Sequence, residues 1–485
     1  MKKLIVSVFA LAIATVAMAQ DTGARKAVQV AQIPGSAAGA NTGESIQNGS
    51  NNAVQVRQAG TEQSALTNQD GVGNLARVMQ TGDVNGNEAL SGQLNLAEVE
   101  QTGYNNQATS VQEGDFNNSM IDQNNDGGEE SLGNRAHIMQ GTGDNAENND
   151  AAIEQDGQDN SAYTLQTYDN SDASTVQNGT GNISEIGQNA GPEDSQGQFA
   201  IVNQSGEDNE SRVDQDNAAG SDARNVALTT QVGARNKAEQ IQSANGSVGN
   251  RGQINQGQAS STISVSTPSF NNAVLVNNFD SEVNIFDGSN FGPSEDGVAF
   301  QNQSGDGNDA FIGQTSTGEG SNNAGQMQTG DNNSAFVSQN LFGGGNDNVS
   351  KQIQMGNGNA ASVNQSGSSH GSLQDQWGTD NTAVTSQGGV HNNSNTFQEG
   401  TANYGQTLQH GQDNAALLTQ RSGQSYTIRQ NEGVFAPGVG GNQADILQEG
   451  PTGNGNQNGF IHVSPWSVTA PHSVGTFSLA PLYED

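Results

Sequence analysis

The side chains that most often carry out catalysis are sparse in this sequence. Its six histidines (His137, His370, His391, His410, His462 and His472) fall in no metal-ligand spacing. Most lie in stretches that read as turns or in the C-terminal tail, where solvated loop residues are expected. Cysteine is absent, which removes thiolate nucleophiles, thiolate metal sites and disulfides together. Acids gather in turn-like stretches such as Asp126 to Glu130 and Glu193-Asp194, the ordinary place for solvated charge. Gly343-Gly344-Gly345-Asn346-Asp347 resembles one calcium-binding β-roll repeat, but it occurs once and has no copy to stack on. No phosphate-cradling glycine loop is present, so no cofactor is expected. The chemistry that does recur is that of the side-chain amide, which donates and accepts hydrogen bonds at once.

Glutamines recur at a spacing of 11: Gln47, Gln58, Gln69 and Gln80; Gln101, Gln112 and Gln123; Gln155, Gln166, Gln177 and Gln188; Gln303 and Gln314. The longest run is Gln354, Gln365, Gln376, Gln387, Gln398, Gln409 and Gln420. Each unit has an internal grammar. After Gln69 come Gly71, Asn74, Ala76, Val78 and Gln80; after Gln376 come Gly378, Asn381, Ala383, Thr385 and Gln387. Asn, Ala, a frequently β-branched residue and Gln thus occupy alternate positions, the period of a strand with one buried face. Asn106, Asn160, Asn308 and Asn414 hold the same place in their units. The glycine falls in a short link where positive φ is cheapest.

One strand-turn-strand unit cannot bury its inward face alone, so the repeat predicts an all-β solenoid, two strands per coil, with amyloid-like cross-β stacking. Gln and Asn at repeated inward positions would then bond to themselves one rung away, which lets polar residues sit inside. With Leu90 and the alternating runs Ser261–Thr267, Asn272–Asn278 and Ser281–Asp287 included, 34 strand ends span Gln47 to Gln448. That number predicts about 17 coils and ~80 Å of axis at the usual strand spacing. From Gln155 onward the longer steps fall on every second link: 188 to 204, 215 to 231, 242 to 256, 287 to 303, 314 to 328, 339 to 354 and 430 to 448. Only the steps around Gln123, Gln140 and Gln155 break this parity. The expectation is a coil with one edge of tight turns and one edge that takes insertions.

Composition and charge fix the setting. Only 31% of residues are hydrophobic and 64 are glycine, too little apolar side chain for one compact globular core. Composition alone describes a disordered chain; the sorted step lengths argue against disorder. Lys2 and Lys3, the apolar stretch Leu4–Val16 and Ala17-Met18-Ala19 read as a signal peptide (1–19) cleaved between Ala19 and Gln20. The net charge of −36 becomes −38 once those two lysines leave, which disfavours nucleic acid and anionic membranes as partners. No later stretch is apolar enough to span a bilayer, so membrane insertion is not expected. A non-repeat segment (20–40), the repeat array (41–448) and a tail or cap (449–485) complete the expected organisation.

The pattern resembles the curlin repeat of bacterial curli, Ser-x5-Gln-x-Gly-x2-Asn-x-Ala-x3-Gln. It is met by Gln101-Gly103-Asn106-Ala108-Gln112, Gln155-Gly157-Asn160-Ala162-Gln166 and Gln303-Gly305-Asn308-Ala310-Gln314. The resemblance runs from about Asn41 to Gln448, although the consensus Ser is often Asn and the first unit has Ala53 one place early. It implies a secreted amyloid fibre subunit of a Gram-negative bacterium, passed through a curli-type outer-membrane pore and nucleated at the cell surface by a companion subunit. It also implies roles in biofilm matrix, adhesion and surface colonisation, and a pore-targeting role for residues 20–40. The competing class is a monomeric, capped β-solenoid that acts as an adhesin or ligand-binding module. An ice-binding solenoid lacks its outward Thr-x-Thr rows, and a β-helix enzyme lacks a recurring acidic or basic site.

Overall fold

Alternation of small apolar and polar residues, cut by a turn every eleven, produces strands, and the described residues contain no helix. The computed structural model describes residues 41–449 with 460 and 461, apart from 82–93, 258–293, 432–440 and short links at 61, 142–146, 191–196, 218–222, 247, 316–320, 341–344 and 422. The strands run six to nine residues, as in Leu75–Thr81 and Asp150–Gln158. They alternate between two 16-stranded sheets. The first holds the rungs of Gln47, Gln69, Gln101, Gln123 and onward to Gln430; the second holds those of Gln58, Gln80, Gln112, Gln140 and onward to Gln448. All stacked rungs pair in parallel with glutamine opposite glutamine, such as Gln177 with Gln155 and Gln204. The chain is a two-sheet β-solenoid, each coil giving one strand to each sheet.

Register follows burial. Asn74, Ala76, Val78 and Gln80 are sealed from solvent, while Arg77 and Met79 between them are exposed. A slip of one residue would exchange those two sets, so every rung holds its neighbours in frame. The apolar core is a narrow line of Ala, Val and Ile from both sheets, including Ala97, Val99, Ile121, Ile138 and Ile153. In the first coil Val54, not Ala53, packs against it.

Three sequence expectations need correction. Among the described residues each sheet holds fifteen parallel rungs, where about 17 coils were expected. Gln69 pairs directly with Gln101, Gln242 with Gln303 and Gln256 with Gln314, and the four further strand ends counted from sequence are those at Leu90, Thr267, Asn278 and Asp287. Those runs lie outside the described residues. The single insertion edge is also wrong. Up to Gln256 most long links lead from the second sheet back to the first (80 to 101, 140 to 155, 188 to 204, 215 to 231, 242 to 256). From Gln256 on they lead from the first sheet to the second (256 to 303, 314 to 328, 339 to 354, 430 to 448). Counting an odd number of runs as strands between Gln256 and Gln303 had concealed the switch.

Candidate functional site: two amide ladders and the ends of the coil

Each glutamine of the frame points between the sheets and meets the same residue above and below. In the first sheet Gln47 Nε2 donates to Gln69 Oε1 at 2.8 Å, and Gln69 to Gln101 at 2.8 Å. Donation continues through Gln123, Gln155, Gln177, Gln204, Gln231 and Gln256 to Gln314. It then runs through Gln339, Gln365, Gln387 and Gln409 to Gln430. The second sheet carries a matching row from Gln58 through Gln80, Gln112, Gln140, Gln166, Gln188, Gln215 and Gln242 to Gln303. Gln328, Gln354, Gln376, Gln398, Gln420 and Gln448 complete it. Neither row has a gap. The same amides also reach the opposite strand: Gln166 Nε2 donates to the Asp150 carbonyl at 3.0 Å, and Gln387 to that of Gly371 at 2.9 Å. One side chain therefore ties rung to rung and sheet to sheet.

Asparagine does the same work at the turn. Asn74 Oδ1 accepts the backbone N–H of Asn106 at 3.0 Å, Asn106 that of Asn134, Asn134 that of Asn160, and Asn160 that of Asn182. Asn308 accepts from Asn333, Asn381 from Asn403, and Asn414 from Asn442. The amide N–H2 turns to a glycine carbonyl, as from Asn160 to Gly179 at 2.9 Å. Glycine is required there. Gly157 has φ +116°, and a Cβ on it would run into the carbonyl of Gly179 on the next rung.

The frame residues thus come together as two continuous rows of Gln and shorter rows of Asn. Ala19 and Gln20 lie outside the described residues. Two features were missed from sequence. His370 is no solvated loop residue: it stands in the asparagine row, buried, with Nδ1 accepting the N–H of Asn392 at 3.2 Å and Nε2 3.2 Å from the Ser366 carbonyl. Burial is the largest influence on it and lowers its pKa to about 4. Its place five residues after Gln365, where Asn is usual, was the available signal. Second, the β-branched place of the second sheet becomes glutamine over five successive rungs, Gln240, Gln301, Gln326, Gln352 and Gln374. Gln301 donates to Gln326 at 3.0 Å, Gln326 to Gln352 and Gln352 to Gln374 at 2.9 Å, a third amide row inside the coil. Its bulk is accommodated at Gly252, which replaces the usual Ala. A Cβ there would lie 2.5 Å from Gln240 Oε1 and 2.9 Å from Gln301 Oε1.

Charge sits outside the coil. Several carboxylates occupy outward strand positions and not only turns, so stacking places them one rung apart. Glu100, Asp122 and Glu154 are register partners on successive rungs. Burial first, and a neighbouring carboxylate second, pushes up Glu98 (beside Glu100) and Glu154 (beside Asp156). Asp150 rises to about 7 through burial and then the charge of Asp172, against a hydrogen bond from Asn118. Among the described residues no group of three or more His, Cys, Asp or Glu is placed to hold a metal ion. No helix among them is long and apolar enough to cross a membrane.

The rows have a direction. Gln47 and Gln58 donate forward, and among the described residues their Oε1 atoms receive no amide. At the other end Gln430 and Gln448 accept from the preceding rung, and among the described residues their Nε2 atoms meet only the Ala415 and Ser425 carbonyls. The last rung of the second sheet also carries a short antiparallel pairing, Ile446 with Ile461 and Leu447 with Phe460. Beside it the open end of the coil forms a cavity lined by Tyr426, Ile428, Gln430, Ala444 and Ile446.

No curated protein matches the chain. Residues 92–124 match the family model of the curlin associated repeat. That stretch contains the Gln101, Gln112 and Gln123 rungs, whose Gln, Asn and Ala positions continue along the two sheets, so the matched curlin associated repeat is the unit that the rest of the coil repeats.

Proposed function

We propose that this chain is the structural subunit of an extracellular, curli-like amyloid fibre, built by stacking the C-terminal coil of one copy on the N-terminal coil of the next. The observation that carries the reading is the polarity of the two amide rows. Among the described residues one end presents amide acceptors and the other amide donors that no further rung of the row meets. Head-to-tail contact continues both rows, whereas head-to-head contact sets like groups against each other. Such a contact does not close on itself, so it propagates as a filament. Nothing in this reading calls for catalysis or a cofactor. Export through an outer-membrane pore, a nucleating companion, and service in biofilm matrix, adhesion and surface colonisation belong to the same proposal.

The pairing of Phe460–Ile461 on the strand Gln443–Glu449 favours a second reading, a capped monomeric adhesin, because it covers part of the edge that stacking needs. One experiment separates them. Residues 20–485 are diluted from denaturant and followed by thioflavin fluorescence and fibre diffraction. A seedable rise with ~4.8 Å and ~10 Å reflections supports the fibre; a β-rich monomer at high concentration supports the adhesin. Truncation after Glu449 is expected to shorten the lag of the fibre form, because the covered edge is then free.

A further inference from the structure

The two outer faces of the first five coils differ in chemistry. On the first sheet the strands Thr42–Ser50, Ser64–Val72, Leu96–Tyr104, Asn118–Asn125 and Asp150–Gln158 contain no lysine, arginine or histidine. Their outward positions hold Asp70, Glu98, Glu100, Asp122, Asp150 and Glu154, all solvent-accessible. On the second sheet the strands Ala53–Gln58, Leu75–Thr81, Gln107–Glu113, Arg135–Gln140 and Ser161–Thr167 contain one acid, Glu113. Arg57, Arg77 and Arg135 stand exposed there and form no ion pair with another described residue. Beside them Met79, Val111 and Met139 are solvent-accessible at one outward position on three successive rungs, with the buried Leu165 at the same position on the fourth. Unpaired arginines around an apolar stripe are unexpected on a chain of net charge −36.

We propose that this arginine-flanked, methionine-lined face takes the acidic face of a second copy of the chain, side by side, with strands aligned and sheets stacked. Both patches extend over four or five rungs and share one strand spacing, so the charges meet in step. Arginine suits the task because its fork can engage carboxylates bidentately, and methionine adapts to an uneven surface. A patch about 23 Å along the strand and ~19 Å along the axis covers roughly 450 Å² per partner. That is at the low end for a specific interface, so one pair of copies holds weakly. Between stacked filaments the contact repeats, and avidity turns it into bundling. The two faces differ, so each filament keeps both a donor and an acceptor side.

The test is a charge reversal at positions away from the stacking edge, Arg77→Glu/Arg135→Glu, in residues 20–485. Filament width by electron microscopy is expected to fall from bundles to single filaments, with lateral pairing weakened at least about tenfold and thioflavin growth rates unchanged. Lys351→Glu/Arg421→Glu changes net charge equally off the patch and is expected to bundle like the parent. Mixing the first variant with Glu98→Arg/Glu100→Arg/Glu154→Arg should restore bundles that contain both labels. The proposal is overturned if the first variant bundles like the parent, if the control disperses as fully, or if mixing restores nothing. Bundling of the parent only with an added anionic polysaccharide would also overturn it, by assigning the face to that polymer. Should the chain form no filaments, sedimentation equilibrium reads the same variants as monomer pairing, so failure of the fibre reading leaves this one decidable.

Discussion

A buried amide has two hydrogens and a carbonyl to place, and Gln166 uses all of them. Its Oε1 accepts from Gln140 at 2.9 Å, and its N–H2 is shared among Gln188 Oε1 and the carbonyls of Asp150 and Ser171. Gln166→Glu keeps the shape but at neutral pH buries a carboxylate against three oxygens that need a donor. We expect a loss of about 3 kcal/mol or more in denaturant unfolding at pH 7, partly recovered at pH 4 once the acid can donate. His370 titrates with the opposite sense. Its folded pKa lies below the ordinary 6.5, so the unfolded chain binds the proton more readily and stability falls as pH drops from 6.5 towards about 4. His370→Asn restores the residue usual in that row. It is expected to leave the melting temperature at pH 7 nearly unchanged and to remove a loss of about 3 kcal/mol at pH 4. The Gln and Asn places were legible in sequence because they recur in frame. His370 was not, because histidine is uncommon in that row and a lone histidine beside a turn reads as solvated.

At the scale of the element, the unit of stability is the coil and its contact with the next. Where both links are short, register partners lie 22 residues apart, as Gln365 and Gln387 do, so the coil is a removable module. Deleting Ser366–Gln387 brings Gln365 before Gly388 and joins two rungs of identical frame. The expected product has the same far-ultraviolet circular dichroism per residue and a modestly lower melting temperature. Loss of cooperative unfolding in that deletion would show that the coils are not interchangeable. Strand positions were readable from period-2 alternation, and many turns from a glycine two places after the glutamine, as at Gly71 and Gly378. Three alternating runs between Gln256 and Gln303 carry the same local pattern and lie outside the described residues, among which Gln256 pairs with Gln314 and Gln242 with Gln303. Alternation marks a segment able to form a rung; which segments do so depends on the rungs already stacked.

At the scale of the whole molecule, stacking half-buries the outward carboxylates, and burial first, with neighbouring acids second, makes them easier to protonate. Among the described residues every displaced carboxylate moves up, including Glu98, Asp150, Glu154, Asp214 and Asp309. For a group whose folded pKa is raised, the folded state binds the proton more readily, so stability grows as pH falls through the folded value towards the unfolded one. For Asp150 that window runs from about 7 down to 3.8. The prediction is a melting temperature that rises from pH 8 to pH 5, most clearly in the His370→Asn background where the opposing titration is gone. Asp150→Asn should flatten part of that rise. A melting temperature that is level or falling across this range in the His370→Asn variant would remove the burial and crowding of carboxylates as the controlling factor. If the fibre reading holds, assembly should quicken over the same interval, because stacking coils brings further carboxylates together.

Sequence by itself determined the repeat, its inward and outward faces, the turns and the sign of the surface, because each is local and recurs every eleven residues. The resemblance to the curlin repeat rested on that same frame. Tertiary structure decided what depends on distant neighbours: fifteen rungs per sheet, the change of edge for the long links, the third amide row and its match to Gly252, and the burial of His370. It also decided that the acids and arginines of the first five coils lie on opposite faces. The physical reason is common to all five. A strand's pattern states which residues face inward, but only stacking and the two-sheet alternation state which other residues they meet.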